Sequence, residues 1–412
     1  MPVAFAMIST GVIGFALIVS PHAAFSMVIA DITGTFSSYS LTVIPLFVFM
    51  GQVAFHAGIS KRLFRSAYAW IGHLPGGLAM ATVGACAGFG AICGSGPATA
   101  ATMTSVALPE MRRYRYSDEL ASGTIAAGGG LGMLIPPSVV FIVYALMTEQ
   151  SIGSLFLAGI IPGIMIVGLF CVLIGIRCKM RNELGPPGPK SSWKTRFREL
   201  TGVLETLILF IFVMGGMFLG LFTPIEAAAV GAGGSLVIAL VKRKLTWTVL
   251  KQILLETVRT SAMVFFIVTG AVIFGRFLAV SQIPFAVAEW FTNLPLPGFL
   301  TMFLIIIFFL IAGCFIDALA LILLTIPIFY PVITELGFNP IWFGVMVVVI
   351  TQMGVITPPV GVNVYVVSGI ERDIPLQSIF RGALPFLFML VLAAIILIIF
   401  PQICLWLPNL SG

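Results

Sequence analysis

Residues 128–146 read GGGLGMLIPPSVVFIVYAL, and residues 353–367 read MGVITPPVGVNVYVV. Both stretches are apolar enough to lie in a bilayer, yet each sets glycines beside a Pro-Pro pair. A helix that only anchors a chain has no use for such breaks. Glycine lets the backbone unwind, and proline removes an N–H and clashes with the preceding turn. Unwound backbone inside a membrane is tolerated only where protein or a water-filled cavity satisfies its polar groups. Two such breaks therefore point to a membrane protein that uses them.

The surrounding composition agrees. Of the 412 residues 59% are hydrophobic and only 9% charged, against about a quarter charged in soluble domains. Apolar stretches approaching the ~20 residues of a spanning helix recur at 3–19, 41–57, 76–94, 119–146, 155–176, 203–222, 225–241, 260–280, 298–316, 341–352 and 376–400. They are too continuous for barrel strands, which alternate over about ten residues, so the expected fold is an all-α polytopic bundle. The net charge of +6 reads as topology rather than a nucleic-acid surface. Basic clusters at Lys61–Arg65, Arg112–Arg115, Arg177–Arg198, Lys242–Lys244, Arg372 and Arg381 mark the cytoplasmic side. The loops 147–154 and 331–340 carry no Lys or Arg and are expected to face outward. The cysteines show no CxxC spacing and the three histidines are scattered, so apolar packing rather than metal or redox chemistry is expected of them. No basic leader precedes the first apolar segment.

The stretch RCKMRNELGPPGPKSSWKTRFREL (177–200) reads as a linker, and the sequence on either side of it recurs. GHLPGG (72–77) corresponds to TNLPLPG (292–298), AICGSGPATA (91–100) to IAGCFIDALA (311–320), LIPPSVV (134–140) to VITPPVG (355–361), and AGIIPGIM (158–165) to RGALPFLF (381–388). The offset stays near 220 residues throughout. The charges invert: the first GSGPATA segment runs to the basic MRRYRY (111–116), and its counterpart runs to TELGFNP (334–340). Inverted repeats with broken helices at matching positions are the signature of a secondary transporter with its site near the midplane.

Each repeat holds a second irregular motif. In GFGAICGSGPATAATMTSVALPEM (88–111) the apolar run turns at Gly94-Ser95-Gly96-Pro97, and the flanking segments are short for spans, which predicts a re-entrant hairpin. Helix N-termini at such a tip attract an anion, and unpaired carbonyls attract a cation; Ser95 and Thr99 add hydroxyls. The bland alternative is a small-residue packing face. The partner hairpin, FFLIAGCFIDALALILLTIPIFYP (308–331), places Asp317 in an apolar run. An ionisable residue at membrane depth is a functional candidate; the bland alternative, compatible with it, is a helix-capping Asp at the hairpin tip. The glycines around Gly130 allow close approach, and Pro136 and Pro137 leave carbonyls of the preceding turn without partners, a setting for a sodium ion. Thr351, Gly354, Thr357, Pro358, Pro359 and Asn363 make the second copy. Thr223, Pro224 and Glu226 read as a helix start, with Glu226 structural. Arg276 reads as a snorkelling or paired cation rather than an anion contact.

These residues, together with PVAFAM (2–7), LPGGLAMATV (74–83), GSGPATAAT (94–102), TPIEAAAVGA (223–232), FIDALA (315–320) and TPPVGVNVYV (357–366), resemble the large membrane subunit of tripartite ATP-independent periplasmic (TRAP) transporters. The motifs run in the family's order over almost the whole chain. The resemblance implies an elevator-type transporter of the bacterial inner membrane, driven by sodium and importing organic acid anions such as C4-dicarboxylates, sialic acid or keto acids. Its implied partners are a small four-helix membrane subunit and a periplasmic substrate-binding protein, with no enzymatic activity. It implies scaffold and arm over 1–70 and 202–290, transport repeats over 71–176 and 291–412, and a linker over 177–201. As substrate contacts it implicates Ser95, Gly96, Pro97, Thr99, Pro137, Ser138, Asp317 and Asn363. As a sodium cage it implicates Gly94, Ser95, Gly130, Gly313, Asp317, Thr351, Gly354 and Thr357. The family motif P-V/I-A-F-A begins here at Met1, so a short first helix and a start further upstream are expected. A stand-alone symporter of the divalent-anion/sodium type, with similar hairpins and repeats, is the alternative. An intramembrane enzyme would need a nucleophile with a base, or a metal cluster, and the sequence offers neither.

Overall fold

The computed structural model describes residues 2–292 and 297–411, and among these the chain forms helices and turns only. The first half comprises α1 (Val3–Ile18), α2 (Pro21–Phe36), α3 (Val43–His56), α4 (Ile59–Ile71), α5 (Gly77–Cys93), α6 (Gly96–Arg113), α7 (Asp118–Gly129), α8 (Leu131–Leu134), α9 (Val139–Thr148) and α10 (Ile152–Met180). The second comprises α11 (Trp193–Phe218), α12 (Pro224–Val241), α13 (Trp247–Ser281), α14 (Ile283–Thr292), α15 (Gly298–Gly313), α16 (Ala318–Glu335), α17 (Pro340–Gly354), α18 (Val362–Ile370), α19 (Leu376–Ile399) and α20 (Gln402–Ser411).

Local chemistry sets these boundaries. Ser20, Ser117, Ser138, Ser151, Ser192, Thr223, Thr246, Asp317 and Asn339 each accept a backbone N–H of the helix they open, which satisfies one of the donors a helix start leaves free. At α12 the capping box is complete. The Glu226 N–H donates to Thr223 Oγ1 at 3.3 Å and the Thr223 N–H to Glu226 Oε2 at 2.8 Å, so Glu226 is structural, as its position in the sequence implies.

Among the described residues seven helical segments are long and apolar enough to cross a membrane, and the pair α2–α3, bent by 53°, makes an eighth if taken as one span. By contrast α5 and α15 have 17 and 16 residues. At ~1.5 Å per residue they reach about 25 Å, short of a ~30 Å hydrocarbon core. Each is followed by a tight turn and a partner helix, giving two helical hairpins, α5–α6 and α15–α16.

The same order of elements recurs after residue 193. α1 packs on α13 as α12 packs on α3, and α3 packs on α13. Hairpin α5–α6 packs on the broken helix α7–α8–α9, and α15–α16 packs on α17. The halves interlock further: α6 meets α18, α16 meets α9, α7 meets α19 and α17 meets α10. The comparison of residues 72–77 with 292–298 falls partly on 293–296, outside the described residues.

The linker departs from the sequence reading. α10 continues to Met180 and α11 begins at Trp193, so only 181–192 lies outside helices. That piece is pinned rather than loose. The Gly76 N–H donates to the Gly185 carbonyl at 2.9 Å, Ser117 N–H to Leu184 at 3.0 Å, and Gly188 N–H to Gly72 at 2.9 Å. The proline and glycine content that reads as a linker also suits a strap whose backbone lies close against its neighbours.

Candidate functional site

A cavity of about 640 Å³ opens where both hairpin tips meet the other helices. The first tip contributes Cys93 to Ala98 and the second Asp317 to Ala320. The opposite wall comes from Pro2–Phe5 at the start of α1, Val48 and Gln52 of α3, and α13 from Thr260 to Ile267. Met133, Val139 and Val140 of the first break and Val362 beyond the second complete it. The lining is mostly apolar, and Asp317 is its only ionisable carboxyl, lysine, arginine or histidine side chain among the described residues.

Both tips present a helix N-terminus to this space. Ser95 opens α6 with extended backbone, φ −136° and ψ 127°, and its hydroxyl caps nothing. Its side chain and the first N–H groups of α6 are therefore free for a ligand, in the position where helix dipole and open donors favour an anion. Asp317 opens α16, and its Oδ2 accepts the Leu319 N–H at 3.1 Å. It serves as the cap, and it also faces the cavity.

The two tips are seated by the same pair of contacts. The Val139 N–H donates to the Gly94 carbonyl at 3.2 Å, and the Val360 N–H to the Cys314 carbonyl at 3.2 Å, each bond joining a hairpin tip to the far side of a Pro-Pro break. Beneath the tips a glycine of the hairpin meets a glycine of the break: Gly90 against Gly132, and Gly313 against Gly354. A Cβ on Gly90 would lie 2.6 Å from the Gly132 Cα, closer than any packed carbon can sit, so this crossing requires glycine. Gly94 takes a left-handed φ of +65°, the backbone region that glycine enters without strain.

The residues singled out in the sequence divide into two layers. Gly94, Ser95, Gly96, Pro97 and Asp317 line the cavity. The others lie behind. Thr99 is buried and donates to the Ser95 carbonyl at 2.8 Å. The Pro137 carbonyl sits against Gly94. Ser138 is fully buried; its hydroxyl donates to the Met133 carbonyl and accepts the Phe141 N–H. Thr351 donates to Val348 at 2.8 Å and Thr357 to Met353 at 2.6 Å. Gly130 lies against Gln352, and Gly313 against Gly354. Asn363 Nδ2 donates to the Ala126 carbonyl at 3.0 Å, while its Oδ1 is buried with no partner. The carbonyls before Pro136 are thus not all open, because Ser138 takes that of Met133. Pro136 still has no N–H to give Gly132.

Two wall residues were not anticipated. Gln52 and Thr260 are the polar side chains that α3 and α13 turn toward the tips. Gln52 is a lone amide in FVFMGQVAF (47–55), a signal of the same kind as Asp317 and open to the same reading. Thr260 in RTSAMVFF (259–266) carries no such mark.

Far from the cavity, Arg112 at the end of α6 gathers carboxylates from both halves. It meets Asp118 at 2.8 Å, Glu371 at 3.2 Å and Asp373 at 2.9 Å. The Asp373 carboxyl is held below the usual carboxylate range by its own backbone N–H and by Arg112. The opposite ends of the breaks are joined by neutral groups. Gln150 Nε2 donates to Tyr330 Oη at 3.0 Å, and Tyr330 Oη to the Thr148 carbonyl at 3.3 Å. Arg276 is paired with buried Asp31 at 3.3 Å, an ion pair between α13 and α2.

A family model described as the tripartite ATP-independent periplasmic transporter, DctM component, matches residues 1–403. The chain belongs to that family. Individual relatives agree with the DctM-family match. The C4-dicarboxylate TRAP transporter large permease protein DctM of Pseudomonas aeruginosa is 38% identical over 397 residues, covering 96% of this chain and 92% of that one. The sialic acid TRAP transporter large permease protein SiaM of Vibrio cholerae is 35% identical over 411 residues, covering 100% and 95%. Among solved structures, the YdaH transporter of Alcanivorax borkumensis aligns with a TM-score of 0.68 at 16% identity, over 92% of this chain and 88% of that one, a likeness of fold. The chain is a multi-pass membrane permease subunit of a TRAP transporter, and not an enzyme.

Proposed function

We propose that this permease subunit is a sodium-coupled importer of an organic acid anion. The observation that carries the reading is the convergence of two helix N-termini, at Ser95 and Asp317, on one cavity. Ser95 and the first N–H groups of α6 receive the carboxylate of the substrate. Among the described residues the cavity has no Lys, Arg or His, so a cation that travels with the substrate balances its charge against Asp317. Sodium suits the donors nearby, which are hard oxygens: carbonyls of Gly94, Gly130, Gly313 and Gly354, the hydroxyls of Ser95, Thr351 and Thr357, and the open Oδ1 of Asn363. The bilayer is crossed by elevator motion: α5–α10 with α15–α19 form the moving body, its hairpins re-entrant, and α1–α4 with α11–α14 form the fixed scaffold. Gln52 and Thr260 are the scaffold groups the substrate passes.

The partners in this reading are a small four-helix membrane subunit and a periplasmic binding protein in the inner membrane system of a bacterium. The relatives named for C4-dicarboxylate and sialic acid support a cargo among organic acids. A thermal-shift panel of organic acids on the cognate binding protein identifies it. The test is then reconstitution of the chain with both partners in proteoliposomes. Uptake should require an inward sodium gradient and the binding protein. Uptake indifferent to sodium would overturn the coupling, and uptake without the binding protein would favour a stand-alone symporter.

A further inference from the structure

At the basic end of the bundle, α4 and the first turns of α11 run side by side and hold a cation in an unusual way. The guanidinium carbon of Arg196 lies 4.9 Å from the Trp193 ring centroid and 5.8 Å from that of Trp70. The two indoles meet edge to face at 6.2 Å, and Phe197 closes the group at 6.1 Å from Trp70. Aromatic faces attract a guanidinium, but they leave its charge uncompensated. The Arg196 guanidinium makes no ion pair or hydrogen bond among the described residues, and its Nε is buried without a partner, as is the indole N–H of Trp70.

The same seam continues two turns along. Arg62 of α4, whose stem lies against Gly202 of α11, donates from Nη1 to the Ala57 carbonyl at 3.2 Å and leaves Nε and Nη2 buried and unpartnered. The carboxylates that could answer these cations are engaged elsewhere. Glu199 meets Arg198 at 3.5 Å, and Glu205, the carboxylate that acts on Arg62, is held by Lys242 at 2.7 Å. Lys61, Arg65 and Lys194 add exposed positive charge around the seam. The seam also sits at a particular depth. Trp193 and Phe197 are more than half exposed, and below them α11 turns Leu204, Ile208 and Ile211 outward along one apolar face. Exposed aromatic and basic residues above an apolar helix face are the pattern of a helix at headgroup level.

We propose that the α4–α11 seam binds the phosphate of an anionic phospholipid, its acyl chains lying along the apolar face of α11. A lipid answers both halves of the observation, two cations with no ion pair among the described residues at headgroup level and an apolar track leading from them into the bilayer. A planar guanidinium clamps a phosphate through two parallel N–H···O bonds, and basic pockets between helices at this depth hold anionic headgroups. The assignment depends on the membrane class of the chain and stands apart from the transport reading.

The test uses the purified full chain, delipidated and titrated with phosphatidylglycerol or phosphatidylcholine of the same acyl chains, with occupancy read by native mass spectrometry. Each cation near the surface contributes about fivefold in affinity. Phosphatidylglycerol should bind at least about tenfold tighter than phosphatidylcholine. Arg196→Gln and Arg62→Gln should each reduce that preference by about fivefold and together remove it, whereas Lys251→Gln, on a different helix, should leave it intact. The two single variants stand in for each other if one fails to fold, which the unfolding temperature in detergent shows. Equal binding of the two lipids overturns the proposal, and so does a preference that neither variant changes. Displacement by millimolar inorganic phosphate assigns the seam to the free anion, and stoichiometric displacement by the purified small membrane subunit assigns it to protein; both also overturn it.

Discussion

The two hairpins share a backbone and differ in chemistry. Val139 on Gly94 and Val360 on Cys314 are the same bond at the same length, and each hairpin rests a glycine on a glycine of its break. The tips themselves diverge. The first turns through Gly-Ser-Gly-Pro, is neutral and leaves its cap hydroxyl free, while the second turns through Cys-Phe-Ile-Asp and caps with a carboxylate. The outer ends diverge again, with an ionic hub at Arg112 in one place and Tyr330 with Gln150 in the other. The helices that precede the hairpins differ too, since residues 21–56 bend by 53° between α2 and α3 where 247–281 run as one helix. The repeated backbone holds two tips over one cavity, and their side chains suit them to opposite charges. One offers an open N-terminus to an anion, the other a carboxylate to a cation.

The sharpest break of this comparison exchanges the tips' polar groups. Asp317→Asn keeps a side chain that caps α16 as well as aspartate does and removes the charge. It should abolish sodium-driven uptake with an unfolding temperature near that of the parent, whereas Ser95→Ala should weaken uptake without abolishing it. Full uptake by Asp317→Asn would remove the carboxylate from the site.

The glycine pairs come next in size. An added Cβ at Gly90 collides with Gly132, while one at Gly313 meets nothing nearer than 3.5 Å. Gly90→Ala should therefore cost about 1–3 kcal/mol, as overpacking does. Gly313→Ala should lie within about 1 kcal/mol of neutral, because alanine is the better helix former. Thermal unfolding in detergent measures both, and equal losses would mean that the hairpins are seated differently.

The outer ends supply the smallest effect. Arg112→Gln should cost about 1 kcal/mol, since its partners are partly or largely exposed and screened, and the loss should shrink at high salt. Tyr330→Phe should cost about 0.5–1.5 kcal/mol at any salt concentration. The Asp373 carboxyl, held low, contributes stability above its unfolded pKa of about 3.9 and loses it only as the pH falls through its folded value. The Arg112 effect should accordingly be flat from about pH 5 to 8, and a change within that window would show that a different group carries it.

Much of this was legible in the chain. The Pro-Pro breaks, GSGP and Asp317 stood out because each breaks the helical apolar pattern locally, and such signals need no knowledge of partners. The second layer was not legible. Whether Thr99 or Ser138 turns a hydroxyl to a ligand or back to a preceding carbonyl is decided by competition with the backbone, and both turn back. Arg112 reads as one of a basic cluster, and nothing along the chain says that Glu371 and Asp373, far along the sequence, come to it. Thr260 faces the cavity because of how α13 is rotated, which its own sequence leaves open.

The claim that both tips form one site is tested most directly by thiol protection. In a background with the native cysteines replaced, Ser95→Cys and Ala318→Cys place one thiol on each tip, and maleimide labelling is followed with and without sodium plus the ligand of the cognate binding protein. Sodium and ligand together should slow labelling at both positions in parallel. Protection of one tip alone, or of neither, would contradict a single site shared between the two hairpins.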